Sequence, residues 1–222
     1  MLKIDALYFK YRTGSFTIEV NNFSIEKGNT VLIRGYNGSG KTTFLKIIAG
    51  ILKPQKGEIS IEGKPIQKSN SNLYRKIGYL RQQPENFVSV KVKELISMGL
   101  YPYNFSLSTL PLSALKKCVR VLKKLDIYKL KNFEISDLSA GQLQMCFFGK
   151  IVVQDPLIFL LDEPFNNLDE KNTRIILETI KNLKEKGKII IIATHRHSYY
   201  EIDFDKVYEF KEGKLEEASE KF

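Results

Sequence analysis

Thr30-Val31-Leu32-Ile33-Arg34-Gly35-Tyr36-Asn37-Gly38-Ser39-Gly40-Lys41-Thr42-Thr43 decides the fold of this chain. The apolar run Thr30 to Ile33 predicts a short strand, the glycines break it, and a helix is expected from Lys41 to near Gly50. Gly35 to Thr42 fits G-x-x-x-x-G-K-[ST] in the strand-to-helix setting that gives the pattern its meaning. Glycines let backbone N–H groups turn inward around a phosphate, and the helix start adds a favourable dipole. Lys41 then supplies a cation to the β and γ oxygens, and Thr42 a hydroxyl to Mg²⁺. The phosphate-binding set expected here is Gly35, Tyr36, Asn37, Gly38, Ser39, Gly40, Lys41, Thr42 and Thr43, with Tyr36 contributing mainly backbone.

Further along, Leu157-Ile158-Phe159-Leu160-Leu161 predicts a buried strand ending in Asp162-Glu163, which puts two carboxylates at a sheet edge. Asp162 suits a metal ion, and Glu163 suits polarisation of an attacking water. A helix is expected from about Asp169 to Lys186 and a strand from Lys188 to Ala193, the alternation of a parallel sheet. Leu2 to Phe9 and Phe16 to Ile25 are β-rich and broken at Thr13-Gly14. Between Pro84 and Lys150 the pattern becomes helical. There Leu115, Val119, Leu122 and Leu125 are expected on one apolar face, with Lys116, Lys117, Arg120, Lys123 and Lys124 off it.

The expected fold class is α/β: a phosphate-loop core with a mixed sheet, an N-terminal antiparallel β subdomain and an inserted helical subdomain. Residues 1–83 and 151–222 would form the core and 84–150 the helical lobe of a single domain.

With 222 residues, 43% of them hydrophobic, the chain can bury a full core, which argues against disorder. No window approaches the roughly 18 uncharged apolar residues of a membrane span, and the start lacks a signal-peptide h-region, so a cytosolic protein is expected. Cys118 and Cys146 have no nearby His partners and read as reduced packing residues. The net charge of +10 is spread along the chain and reads as a solvated lysine-rich surface.

Between the glycine loop and the acidic strand end lies Leu138-Ser139-Ala140-Gly141-Gln142. With it, the chain resembles the ABC-transporter ATPase family, whose defining motif is LSGGQ. The other family elements follow in order, from Tyr11 to His195. Tyr11 stands where the family stacks an aromatic on adenine. Gln82 resembles the Q-loop glutamine, Asn167-Leu168-Asp169 the D-loop, and His195 the switch histidine. The resemblance implies ATP and Mg²⁺ as ligands. Glu163, His195 and Gln82 would act in catalysis, and Thr42, Gln82 and Asp162 at the metal. Ser139, Gly141 and Gln142 would meet the partner's nucleotide in a two-fold dimer, either a homodimer or a pair with a paralogous ATPase. His197 matches no motif. Ala140 replaces the usual glycine and is expected to strain the backbone. Met145 replaces a common arginine and would remove a charge beside the interface.

Such an ATPase needs a load, and separate transmembrane permease subunits are the expected one, holding the chain at the inner face of the membrane. Pro84-Glu85-Asn86-Phe87-Val88 and the stretch Lys93 to Tyr103 are aromatic-rich and would line a groove for a helix of the partner. Glu94 to Tyr103 looks like the E-L-x-x-M-G-R-Y-P-Y pattern of importers for iron chelates, cobalamin and metals, with Leu100 in place of the arginine. Energy-coupling-factor vitamin importers share the Gln-x-Pro-Glu run at Gln82 and form an alternative. A soluble ABC protein on ribosomes or DNA is a further alternative, but no second ATPase domain or long coiled coil is present, so nucleic acid is not expected as a partner.

Overall fold

The central strands are unbroken apolar runs whose successive side chains point to opposite faces, so one sheet carries a core on each face. Ile158 and Leu160 point to one side with Ile189, Ile191 and Ala193, while Phe159 and Leu161 point to the other with Ile190 and Ile192. The computed structural model describes residues 1–66, 73–82, 90–103, 110–195 and 202–218. Pro84 to Val88 and His197 therefore lie outside the described residues.

The elements in chain order are β1 (Leu2–Lys10), β2 (Thr17–Val20), β3 (Phe23–Ile25), β4 (Thr30–Arg34), α1 (Lys41–Ile48), β5 (Lys56–Ile61), β6 (Lys64–Pro65), α2 (Leu73–Lys76) and β7 (Ile77–Leu80). There follow α3 (Val92–Ser97), a 3₁₀ segment Met98–Tyr103, α4 (Leu112–Lys124), α5 (Ala140–Gln154), β8 (Ile158–Asp162), α6 (Glu170–Glu185), β9 (Ile189–Thr194), β10 (Lys206–Lys211) and β11 (Lys214–Glu217). The strands join in the order β6-β5-β1-β2-β11-β10-β4-β9-β8-β7, with β3 beside β1. The segment β10 to β7 is parallel, and β1 pairs antiparallel with β2, β3 and β5. The sheet is thus mixed, as expected.

Because β4, β9 and β8 run in parallel, their C-terminal ends reach one edge together. Arg34 stands opposite Thr194, and Asp162 opposite Ala193. The phosphate loop, the acidic pair and His195 are brought together by register alone.

The helical stretch departs from expectation at α4. Leu115 and Val119 are 43% and 38% exposed, whereas Ala114, Cys118, Val121, Leu122 and Leu125 are buried. The inward arc is set by the small Ala114 and Cys118, which allow close packing against α3 and α5; Cys118 Sγ lies 3.8 Å from Ser97 Oγ. Counting only large apolar residues rotates the predicted face toward solvent. Both cysteines are free and buried.

Candidate functional site

The loop after β4 begins with Gly35 at φ 154°, where a Cβ would come within 2.7 Å of Phe210 O. Gly40 at φ 120° opens α1, a conformation that side-chain-bearing residues rarely adopt. Lys41 is 6% exposed, and its Nζ donates to Gly35 O at 2.6 Å and Tyr36 O at 3.0 Å. Burial pushes the Lys41 ammonium below its ordinary value, while the carboxylates of Glu163 and Asp162 pull it back up. Tyr36 is 80% exposed, so its side chain is no part of the loop's interior. Tyr11 stands over the start of α1, its hydroxyl 3.1 Å from Thr43 Oγ1 and its ring edge-on to Phe9.

Asp162 ends β8 fully buried. Thr42 Oγ1 donates to Oδ1 and Tyr79 OH to Oδ2, each at 3.1 Å. Burial raises the proton affinity of this carboxyl, the two hydroxyl donors oppose that, and the balance lies above the ordinary carboxylate value.

Glu163 follows in the left-handed region at φ 50° and is 5% exposed. Its amide donates to Ala193 O, and Gln144 Nε2 donates to the carbonyls of Glu163 and Pro164. This turn aims the carboxylate at the end of β9. There Thr194 Oγ1 donates to Oε2 at 2.9 Å, the His195 amide donates to Oε1 at 2.8 Å, and His195 Nδ1 lies 2.6 Å from Oε1. With Nδ1 as the donor, His195 Nε2 is left for a ligand.

The groups fit a nucleotide and a hard cation. Ser39 Oγ is buried with no hydrogen-bond partner, and Lys41 rests on carbonyls that an anion would replace. Thr42 and Asp162 offer the oxygen donors that Mg²⁺ takes. Gln82 is exposed just beyond β7 on the same sheet edge, and it makes no hydrogen bond with Thr42 or Asp162.

Ser139, Gly141 and Gln142 form a separate group at the start of α5. Ser139 Oγ accepts from the Gln142 amide, and Gln142 Oε1 accepts from the Ser139 amide, a reciprocal cap. Gly141 is required by close approach: a Cβ there would meet Asn167 O at 2.5 Å. Asp169 caps α6 by accepting from the Asn172 amide at 2.7 Å.

Both expected departures are corrected. Ala140 is the first residue of α5 and is not among the residues with positive φ, because helical backbone suits alanine well. Met145 is fully buried and packs in the core, so the side chain at this position faces inward and not toward an interface.

Sequence reasoning passed over Tyr79, Thr194 and Gln144 as contacts of the acidic pair. The signal for Tyr79 was its place in Ile77-Gly78-Tyr79-Leu80, a largely apolar run now seen as a strand pairing directly with β8.

A cavity of about 280 Å³ opens between this sheet edge and α5. Its lining includes Ile51, Tyr74, Arg81, Pro102, Phe147 and Lys150. Of the expected stretch Lys93 to Tyr103 only Pro102 reaches it; Leu95, Ile96 and Leu100 are buried, and Tyr103 OH is engaged by Gln154 O.

A phosphate loop, an acidic pair and a capped signature turn on this sheet define an ATPase of one class. The chain belongs to the ABC transporter family, whose profile matches residues 18–166. It is 36% identical over 220 residues to the energy-coupling factor transporter ATP-binding protein EcfA1 of Mycoplasmopsis synoviae, covering 97% of this chain and 81% of that one. It is 31% identical over 207 residues to the petrobactin import ATP-binding protein YclP of Bacillus subtilis, covering 91% and 80%. Among solved structures it resembles the dimeric cassette MJ0796 with a TM-score of 0.83, 26% identity and 97% of each chain covered. A post-hydrolysis dimer of the same cassette, bound to ADP and Pi, matches with a TM-score of 0.82 at 26% identity, covering 98% of each chain. The chain is an ATP-binding and ATP-hydrolysing transporter subunit.

Proposed function

We propose that this chain closes with a second copy, or with a paralogous ATPase, around two ATP molecules, and that the cycle drives separate permease subunits of an importer. The observation that carries the dimer reading is the exposed start of α5, where Ser139 and Gln142 cap each other, a phosphate-type site far in sequence from the chain's own phosphate loop. Dimeric relatives support it. In this reading Gly35 to Thr43 hold the phosphates, Tyr11 stacks on the base, and Ser139, Gly141 and Gln142 face the partner's γ-phosphate. Thr42 and Asp162 would hold Mg²⁺, with Gln82 swinging in; the ion would neutralise charge on the transferred phosphoryl group. Glu163 takes the proton of the attacking water as general base, and His195, bonded to Glu163 at Nδ1, stands beside the γ-phosphate.

Residues 84–150 would act as a helical lobe on the core of 1–83 and 151–222, joined to it by one face of the sheet. Docking of permeases at the cavity beside α5 would hold the chain at the cytoplasmic face of the membrane. Import, and a metal chelate as cargo, rest on the YclP relative and on Glu94 to Tyr103; the EcfA1 relative supports an energy-coupling-factor assembly instead.

The deciding experiment pairs Ser139→Arg with Lys41→Ala. Ser139→Arg puts bulk and positive charge into the closed interface, so the monomer should bind ATP but neither dimerise nor hydrolyse it. In mixed dimers with Lys41→Ala, one composite site keeps an intact loop and an intact signature, and recovered turnover comes from that site. A Ser139→Arg chain that dimerises with ATP and turns over at the parent rate sinks the two-chain site.

A further inference from the structure

Asp162 is held by two hydroxyls from two different elements. Thr42, on Oδ1, lies in the first turn of α1, directly after the phosphate loop. Tyr79, on Oδ2, belongs to β7, the parallel neighbour of β8, with Tyr79 in register with Leu160 and the hydroxyl reaching forward along the strand to Asp162. Its ring packs against the sheet core and also lines the cavity beside α5. The Tyr79 side chain therefore runs from the cavity wall to the carboxylate.

We infer that Tyr79 is a positioning residue for the metal-side carboxylate: by occupying Oδ2 it fixes the plane of Asp162 so that the remaining lone pairs face Thr42 and the cation. The inference rests on the proposed role of Asp162 at Mg²⁺.

Three observations carry it. The carboxylate is fully buried, so an oxygen without a donor has no water to turn to. The two donors sit on different oxygens at equal distance, so removing either leaves the group free to rotate about its last bond. The Tyr79 hydroxyl is the donor in its bond to Oδ2, since an ionised carboxylate can only accept. Tyr79 acts through Asp162, which makes it a positioning residue and not a catalytic one.

Outer partners of metal-holding carboxylates set affinity by about 10-fold to 100-fold. The test is Mn²⁺ binding to the ADP-loaded full chain, read by the electron paramagnetic resonance of free Mn²⁺, in the parent, Tyr79→Phe and Asp162→Asn. Tyr79→Phe removes one oxygen and keeps the ring in the wall. It should weaken Mn²⁺ by about 10-fold while ADP affinity in chelator, measured by calorimetry, stays unchanged. A purely structural role for the hydroxyl would lower the melting temperature and leave the Mn²⁺ titration unmoved. An Mn²⁺ affinity within about twofold of the parent in folded Tyr79→Phe, with Asp162→Asn clearly weakened, overturns the inference about Tyr79 alone. Unchanged Mn²⁺ binding in Asp162→Asn overturns the metal role of Asp162, and this inference with it.

Discussion

Glu163→Gln separates the chemistry of this carboxylate from its place in the fold. In the parent, Oε1 takes the His195 amide and faces Nδ1, at 2.8 and 2.6 Å, and Oε2 takes Thr194 Oγ1 at 2.9 Å. A glutamine oxygen can keep the two His195 donors. Its NH₂ then donates to Thr194 Oγ1, whose own proton must turn to another acceptor. Each bond changes from charged to neutral, a loss of about 1 kcal/mol apiece, but the desolvation cost of a buried charge disappears as well, and that is worth several kcal/mol. The net change in stability should stay within about 2 kcal/mol. Turnover depends on basicity, which an amide lacks, and should fall by about 10²-fold or more, roughly 2.7 kcal/mol of barrier. Removing a negative charge near the loop should leave ATP binding intact, so the variant should accumulate as an ATP-dependent dimer. Phosphate release and size-exclusion chromatography with and without ATP read the two outcomes. A folded Glu163→Gln chain with parental turnover refutes the role of Glu163 as base.

Two further outcomes test the fold. Leu122→Ala, at a buried position of α4, should lower stability by about 2–5 kcal/mol, whereas Leu115→Ala, on the exposed side, should stay within about 0.5 kcal/mol in urea unfolding; equal losses would restore the face read from the sequence. The Glu62 carboxyl is held down to about 2 from its ordinary value of 4.5 by hydrogen bonds from Lys27 and Lys76. A depressed carboxylate stabilises above its unfolded value and loses that contribution as pH falls through its folded value. Glu62→Gln should therefore cost stability at pH 7, less than about 1 kcal/mol because the ion pairs are solvated. The difference from the parent should shrink between pH 4.5 and about 2, and a difference that is constant across that window excludes the ion pairs as its source.

Most of the site was legible because its chemistry is local. The loop from Gly35 to Thr42 needs contiguous glycines and a helix start, and Ser139 with Gln142 needs only a three-residue spacing to cap α5. The strand ending at Asp162 declared itself by an unbroken apolar run. β5, β6 and β11 did not, since they carry many exposed polar residues and no unbroken apolar run.

The sequence by itself determined that a strand, a glycine turn and a helix follow one another at Gly35, that an acidic pair ends a buried strand, and that Ser139 opens a helix. These follow from backbone freedom, alternation and spacing within a few residues. Only the tertiary structure decided that Tyr79 reaches Asp162, that Thr194 and His195 clasp Glu163, and that Leu115 and Val119 face solvent. The physical reason is that strand order and register bring together residues 83 and 31 positions apart, and that the small side chains Ala114 and Cys118 choose which arc of α4 can approach its neighbours; neither is a property of any short window of the chain.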